Sequence, residues 1–199
     1  MRQVGFQDQL LGLLRELAKA GKREEARKTL DALERRGAPA DFAARFHWLR
    51  EIAVARAVVG DFEGALGMAA SIPNALLREE AWAGIAVALA QSGDLGAAER
   101  TLAPVEDPDI RGYALEAIAP EQAKAGDFAG AVRSATVSWE EGHDLGKGRT
   151  LQRVAALQAK AGEGQQALAW ARRLPSTEVR TWALIGLAEG LLERAGSSR

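Results

Sequence analysis

The chain has 199 residues, of which 47% are apolar and 27% charged, the balance of a folded globular protein rather than a disordered one. Its 26 basic and 27 acidic residues nearly cancel, so we expect no nucleic-acid partner, because phosphate binding needs a basic surface. The absence of cysteine excludes disulfides and thiolate metal sites and suits a cytoplasmic location. No apolar run is long enough to cross a membrane, so membrane insertion is not expected.

A six-residue phrase recurs along the chain. It reads GDFEGA at 60–65, GDLGAA at 93–98 and GDFAGA at 126–131. The glycines that open this phrase or its weaker copies are Gly21, Gly60, Gly93, Gly126 and Gly162. Alanine stands three residues before and five residues after each of them. Repeats of this length are typical of stacked helical units.

Each unit is predicted to contain two helices, because its apolar residues follow helical spacing and do not alternate. The turn glycine favours a left-handed helix end, and the aspartate after it can cap the next helix. The predicted caps of the second helices are Asp61, Asp94 and Asp127. The small alanines on either side of the turn allow the two helices to approach closely.

Helix starts are predicted in chain order at Asp41 for a helix near 42–59, at Asp107 for one near 109–125, and at Ser176 or Thr177 for the last one, about 177–194. Two wider spacings predict a longer second helix with a linker at 37–41, and extra residues near 139–148 that could carry a binding function. Pro120 lies inside a predicted helix and should kink it, which is either tolerated or widens a groove.

The repeated turn with its alanine, together with Trp82 eleven residues before Gly93, resembles the tetratricopeptide repeat (TPR) family. The resemblance extends over essentially the whole chain, although alanine replaces the family's usual glycine at Ala53 and Ala86. HEAT-type and Sel1-type repeats are similar in length but fit the spacing less well. The resemblance implies an all-α, right-handed α-solenoid of about five TPR-like helix-turn-helix repeats plus a C-terminal capping helix, in one domain over residues 1–199.

In the TPR family the first helix of each repeat lines a concave groove. The groove candidates by position are Arg15, His47, Arg50, Glu80, Tyr113, Glu116, Arg149 and Gln152. These side chains form either a recognition surface or an ordinary solvated face. Arg45, Arg78, Arg111 and Arg180 recur at one position and predict either a ladder bound to helix ends or an anion-binding stripe. Trp139, next to the 139–148 insertion, is a candidate anchor for a partner.

The leading functional hypothesis is a non-catalytic scaffold or adaptor that binds a protein or peptide partner in the groove. No nucleophile motif and no nucleotide-binding loop occurs, so neither catalysis nor a cofactor is expected. The acidic residues around His143 lack a second histidine at ligand spacing, so no metal site is predicted. The alternative is a structural subunit that assembles with itself or with a larger complex, which the apolar last helix favours. An RNA-binding repeat is disfavoured by the charge balance.

Overall fold

The computed structural model of the protein describes residues 12–14, 16–18, 20–137 and 144–197, and every regular element in these ranges is an α-helix. The predicted all-α class is therefore confirmed for this part of the chain. The predictions for Arg15, Trp139 and His143 lie outside the described residues.

The described chain forms two compact units, Met1–Asp107 and Pro108–Arg199. The helices of the first unit are α1 (Arg23–Arg36), α2 (Phe42–Val58), α3 (Phe62–Ala70), α4 (Ala75–Gln91) and α5 (Leu95–Leu102). Those of the second unit are α6 (Pro108–Lys124), α7 (Phe128–Val137), α8 (Asp144–Lys160), α9 (Gly164–Ala171) and α10 (Thr177–Ser197). Residues 12–14 and 16–18 are also helical.

Long and short helices alternate from α2 to α9. The four long helices, α2, α4, α6 and α8, each have 17 residues, and the short helices that follow them have 8 to 10. α1, with 14 residues, is longer than these short helices, as the wide spacing before Gly60 predicts. α6 continues through Pro120, which is buried.

The turn glycines adopt the left-handed conformation that the sequence predicts. Gly60 has φ +92°, and its N–H donates to the carbonyl of Ala57, while the next N–H, of Asp61, donates to the carbonyl of Arg56. This pair of hydrogen bonds is the Schellman motif, which satisfies carbonyls left open at a helix end. The other four turn glycines make the same pair of bonds with positive φ, so one local motif ends every predicted first helix.

The predicted aspartate caps are confirmed. Asp61, Asp94 and Asp127 each accept a hydrogen bond from the N–H three residues later, at 2.8 to 3.0 Å. Asp41 caps α2 in the same way, at 2.8 Å from the N–H of Ala44. Glu163, in the equivalent position before α9, makes no such bond. The turn and the cap together set where each short helix begins.

The alanines that flank the turns lie inside the units. Of those three residues before a turn glycine, Ala57, Ala90, Ala123 and Ala159 are 0 to 3% exposed and Ala18 is partly buried, and those five residues after it are fully buried. Larger apolar residues complete each core, such as Ile52 in the first unit and Leu151 and Val154 in the second. Small side chains at the crossing let the helices of a hairpin approach closely.

Two of the four recurring arginines bind the end of the preceding short helix. Arg78 donates to the carbonyl of Ile72 at 2.9 Å, and Arg180 donates to the carbonyl of Leu174 at 2.8 Å. The carbonyls after a helix C-terminus attract a cation because they carry partial negative charge. For these two residues, the ladder is the correct interpretation and an anion-binding role is not supported.

Candidate functional site

The predicted groove residues that the structure describes all lie on long helices. His47, Arg50 and Glu80 belong to α2 and α4 of the first unit, and Tyr113, Glu116, Arg149 and Gln152 belong to α6 and α8 of the second. Each stands thirteen or ten residues before a turn glycine. Arg50 and Glu80 of the first unit are joined by a hydrogen bond, whereas Gln152 of the second unit bonds to Glu189, which was not a predicted groove residue.

In the first unit, Arg50 of α2 bonds to Glu80 of α4 and to its own neighbour Glu51. The guanidinium is about three-quarters buried between the two carboxylates. Burial alone would lower the pKa of Arg50, but the hydrogen bond that Arg50 donates to Glu80 and the charge of Glu51 outweigh it and raise the pKa above its usual value. Arg50 is therefore permanently charged and held by two acidic partners, and is not a free groove cation.

Glu51 is the member of this cluster that the sequence analysis missed. It is only 9% exposed, and one carboxylate oxygen accepts from Arg50 while the other, Oε2, is buried without a hydrogen-bond partner among the described residues. A buried carboxylate oxygen without a donor is costly, so Glu51 adds an uncompensated acidic group to the cluster. One feature of the sequence could have identified Glu51. Residues required for stacking recur in each unit, but the position in α4 that is equivalent to Glu51 is Gly84, so Glu51 is not a stacking residue.

The cluster has an acidic excess. One guanidinium lies between two carboxylates, and exposed His47 lies one helical turn before Glu51 on the same face of α2. An excess of carboxylate favours a positively charged group from a partner, such as the side chain of Lys or Arg.

In the second unit, Gln152 of α8 donates to both carboxylate oxygens of Glu189 in α10, at 3.0 Å. Lys160 and Glu193 join the same two helices at 3.0 Å. Gln152 therefore links two helices, in addition to standing on the predicted face. Tyr113 and Arg149 are exposed, and Glu116 is partly buried.

An apolar cleft of about 500 Å³ opens on the short-helix side of the first unit, where no binding site was predicted. Its apolar lining comes from Phe62, Leu66, Trp82, Leu89 and Pro104. Asp94, Arg100 and Thr101 lie at its polar part. The guanidinium of Arg78 lies 5.6 Å from the centre of the Trp82 ring, within the range of a cation–π contact. Trp82, which the sequence analysis used only for the family resemblance, is partly buried and lines the cleft.

A second polar network closes the turn at Gly60. Arg56 forms two parallel bonds with Glu34 of α1, at 2.8 and 3.1 Å, and a third with Asp61 at 3.1 Å. The bond with Glu34 raises the pKa of Arg56 above its usual value, against the opposing effect of burial. A cavity of about 410 Å³ lies beside these residues. The geometry is that of a structural clamp, because all three guanidinium nitrogens of Arg56 already donate to carboxylates.

Within the described ranges, no group of three His, Cys, Asp or Glu side chains has an arrangement that could hold a metal ion. In the same part of the chain, every helix is too short or too polar to cross a membrane.

Neither a protein-family model, nor a curated protein, nor a solved structure matches this chain. The helical pattern and the side-chain clusters are therefore the basis for assigning a function.

Proposed function

We propose that this chain is a TPR-like helical-repeat protein that acts as a non-catalytic interaction module and binds a peptide or helix of a partner protein. The regular alternation of long and short helices, with a Schellman turn at each predicted glycine, supports the repeat assignment and the right-handed solenoid expected from it. A cytoplasmic location is part of the proposal and is favoured by the absence of cysteine.

The observation that carries the proposal is the acidic excess of the cluster of Arg50, Glu51 and Glu80 on the long helices of the first unit. Glu51 and Glu80 together have two negative charges, and Arg50 supplies one positive charge. A Lys or Arg of the partner that bonds to Glu80, whose side chain is 32% exposed, would neutralise the excess. The preferred partner segment is therefore basic, and exposed His47 is placed to contact the residues beside that cation.

The test is selection of peptides from a random displayed library on the purified protein. We expect the selected peptides to be enriched in Lys and Arg. The double variant Glu51→Gln/Glu80→Gln keeps the side-chain shapes but removes both charges, so that enrichment should disappear. A selected basic peptide should bind the variant at least about tenfold more weakly, since a hydrogen bond to a charged group contributes about 1.5–3 kcal/mol.

The matched control is Glu24→Gln/Glu63→Gln, which removes two exposed acidic groups from the short-helix elements of the same unit. We expect the control variant still to select peptides rich in Lys and Arg and to bind a selected basic peptide with the affinity of the wild type. Equal enrichment on the wild type and on the Glu51/Glu80 variant would disprove the site, and no enrichment of basic peptides on either would disprove the proposed partner chemistry. Thermal unfolding of each variant separates loss of binding from loss of folding.

A further inference from the structure

The last helix leaves open a face that every preceding long helix buries. In the four preceding long helices, the alanine three residues before the turn is at most 3% exposed, whereas the equivalent residue of α10, Leu192, is 73% exposed. The alanine seven residues before the turn is fully buried in the same four helices, and its counterpart Ala188 is exposed. α10 therefore presents to solvent the face on which a short helix packs elsewhere.

α10 does not turn back to cover this face. The other long helices end two residues before their turn glycine, but α10 continues through Ala195, which stands at the glycine position, as far as Ser197. Leucine at 192 in place of alanine also removes the close approach that a short helix needs. A covering element of the kind found in the other hairpins therefore does not fit here.

The open face is uncharged along its length. On one side of α10 lie Thr181, Leu184, Ile185, Ala188, Leu191, Leu192 and Ala195. Leu184 is partly buried against the core of the second unit, and the other six are exposed. Ile185 and Leu191 are 42% and 47% exposed. Burying this face would therefore remove apolar surface from water without burying any charge.

The same face is symmetric about Ala188. Pairs of large residues, 184–185 and 191–192, lie at equal distances on either side of it, and small residues, Thr181 and Ala195, lie at equal distances beyond. A two-fold interface uses one patch twice, so each residue meets the residue at the mirrored position of the second copy. With two copies of α10 antiparallel about a two-fold axis at Ala188, small residues meet at the centre (Ala188 with Ala188) and at the ends (Thr181 with Ala195). Between them, large residues meet: 184 with 192, and 185 with 191.

We propose that this face is a self-association surface on which α10 of one copy packs antiparallel against α10 of a second copy, with Ala188 at the two-fold axis. The inference is independent of the proposed partner binding, because the Glu51 cluster is in the other unit. The contact is about 21 Å long from Thr181 to Ala195 and about 10 Å wide. An interface of one helix pair falls below the ~1,600 Å² of a standard stable complex, so the dimer is weak and depends on concentration.

Sedimentation equilibrium over protein concentrations from about 10 μM to about 1 mM measures this association, because an interface of this size gives affinities in that range. The wild type should pass from monomer to dimer. Ala188→Glu places two like charges at the axis and should weaken association at least tenfold, as should Ala188→Lys. A mixture of these two variants should recover association, since residue 188 meets itself. A wild type that stays monomeric overturns the proposal, and so does a mixture that stays monomeric.

Single cysteines test the antiparallel register, because the natural chain has none. Ala188→Cys should form a disulfide-linked dimer on mild oxidation, and Thr181→Cys should link to Ala195→Cys but not to itself. Efficient linking of Thr181→Cys to itself would show a parallel pair and overturn the register. Arg153→Cys, on the exposed side of α8, is the control that should not link. None of these variants changes a residue of the two apolar pairs, 184–185 and 191–192, so the apolar surface that drives association is kept.

Discussion

The backbone of Gly186 in α10 lies directly against the carbonyl oxygen of Gln152 in α8, with no space for a Cβ atom between them. One turn later, Gly190 lies in the same way against the carbonyl of Ala156. Two glycines four residues apart thus let α8 and α10 approach more closely than alanine would allow. This close contact holds α10 against α8 within the second unit.

Replacing either glycine should destabilise the protein. Gly186→Ala forces a methyl group into backbone atoms that cannot rotate away, so we expect a loss of about 2 kcal/mol or more in the free energy of unfolding, measured by urea titration. Gly67→Ala is the control, because Gly67 is also helical but has no atom near its missing Cβ. That variant should gain up to about 1 kcal/mol from helix propensity. Similar effects of the two substitutions would contradict the close contact.

The left-handed turn should tolerate asparagine better than alanine. Gly93 has φ +94° and open space around its missing Cβ, so only backbone strain opposes a side chain there. We expect Gly93→Ala to cost about 1–2 kcal/mol and Gly93→Asn clearly less, since asparagine visits this conformation more readily. Urea unfolding of both variants tests this. Equal losses in the free energy of unfolding would mean that φ at residue 93 is not what makes a side chain unfavourable there.

The Asp94 cap should contribute about 1 kcal/mol. Its carboxylate accepts from the N–H of Ala97, 2.9 Å away, at the start of a helix of only eight residues. Asp94→Ala removes the acceptor, whereas Asp94→Asn keeps an amide oxygen in the same place and should retain most of the stability. Thermal unfolding should rank the variants in that order. An alanine variant as stable as the wild type would show that the turn alone starts α5.

The Arg56–Glu34 bond should stabilise the first unit without pH dependence near neutrality. Because its folded-state pKa is raised, Arg56 contributes stability that is fully present below the unfolded pKa of arginine and is lost only as pH rises through the folded value. A double-mutant cycle with Arg56→Gln and Glu34→Gln should give a coupling of about 1 kcal/mol that is the same at pH 6 and pH 9. A coupling that disappears between these values would contradict the assignment.

Most local features could be predicted from the sequence because they depend on neighbours in the chain. The conformation of Gly60 and Gly93 and the caps at Asp61 and Asp94 follow from φ preferences and from bonds that span three residues. The last helix was predicted to end at about 194, but α10 continues at least to Ser197, because Ala195 does not favour the left-handed conformation that ends the other long helices. The predicted single domain remains a prediction.

The candidate site was predicted only in part, because its members meet through tertiary contacts. Position in the repeat identified Arg50 and Glu80 as surface residues, but not that they bond to each other across thirty residues of chain. Glu51 was missed because its burial depends on the packing of α2 and α4, which no local pattern records. Gln152 was assigned to a partner, although its amide binds Glu189.

The sequence by itself determined the helical class, the period of the turns and the small residues at the crossings, since helix ends and close approaches depend on residue type and spacing. Only the tertiary structure decided which charges neutralise each other, which apolar residues remain exposed and where two backbones touch. These features arise between helices that are far apart in the chain, as with Gly186 and Gln152. They depend on three-dimensional distance, which a one-dimensional pattern of residue types does not contain.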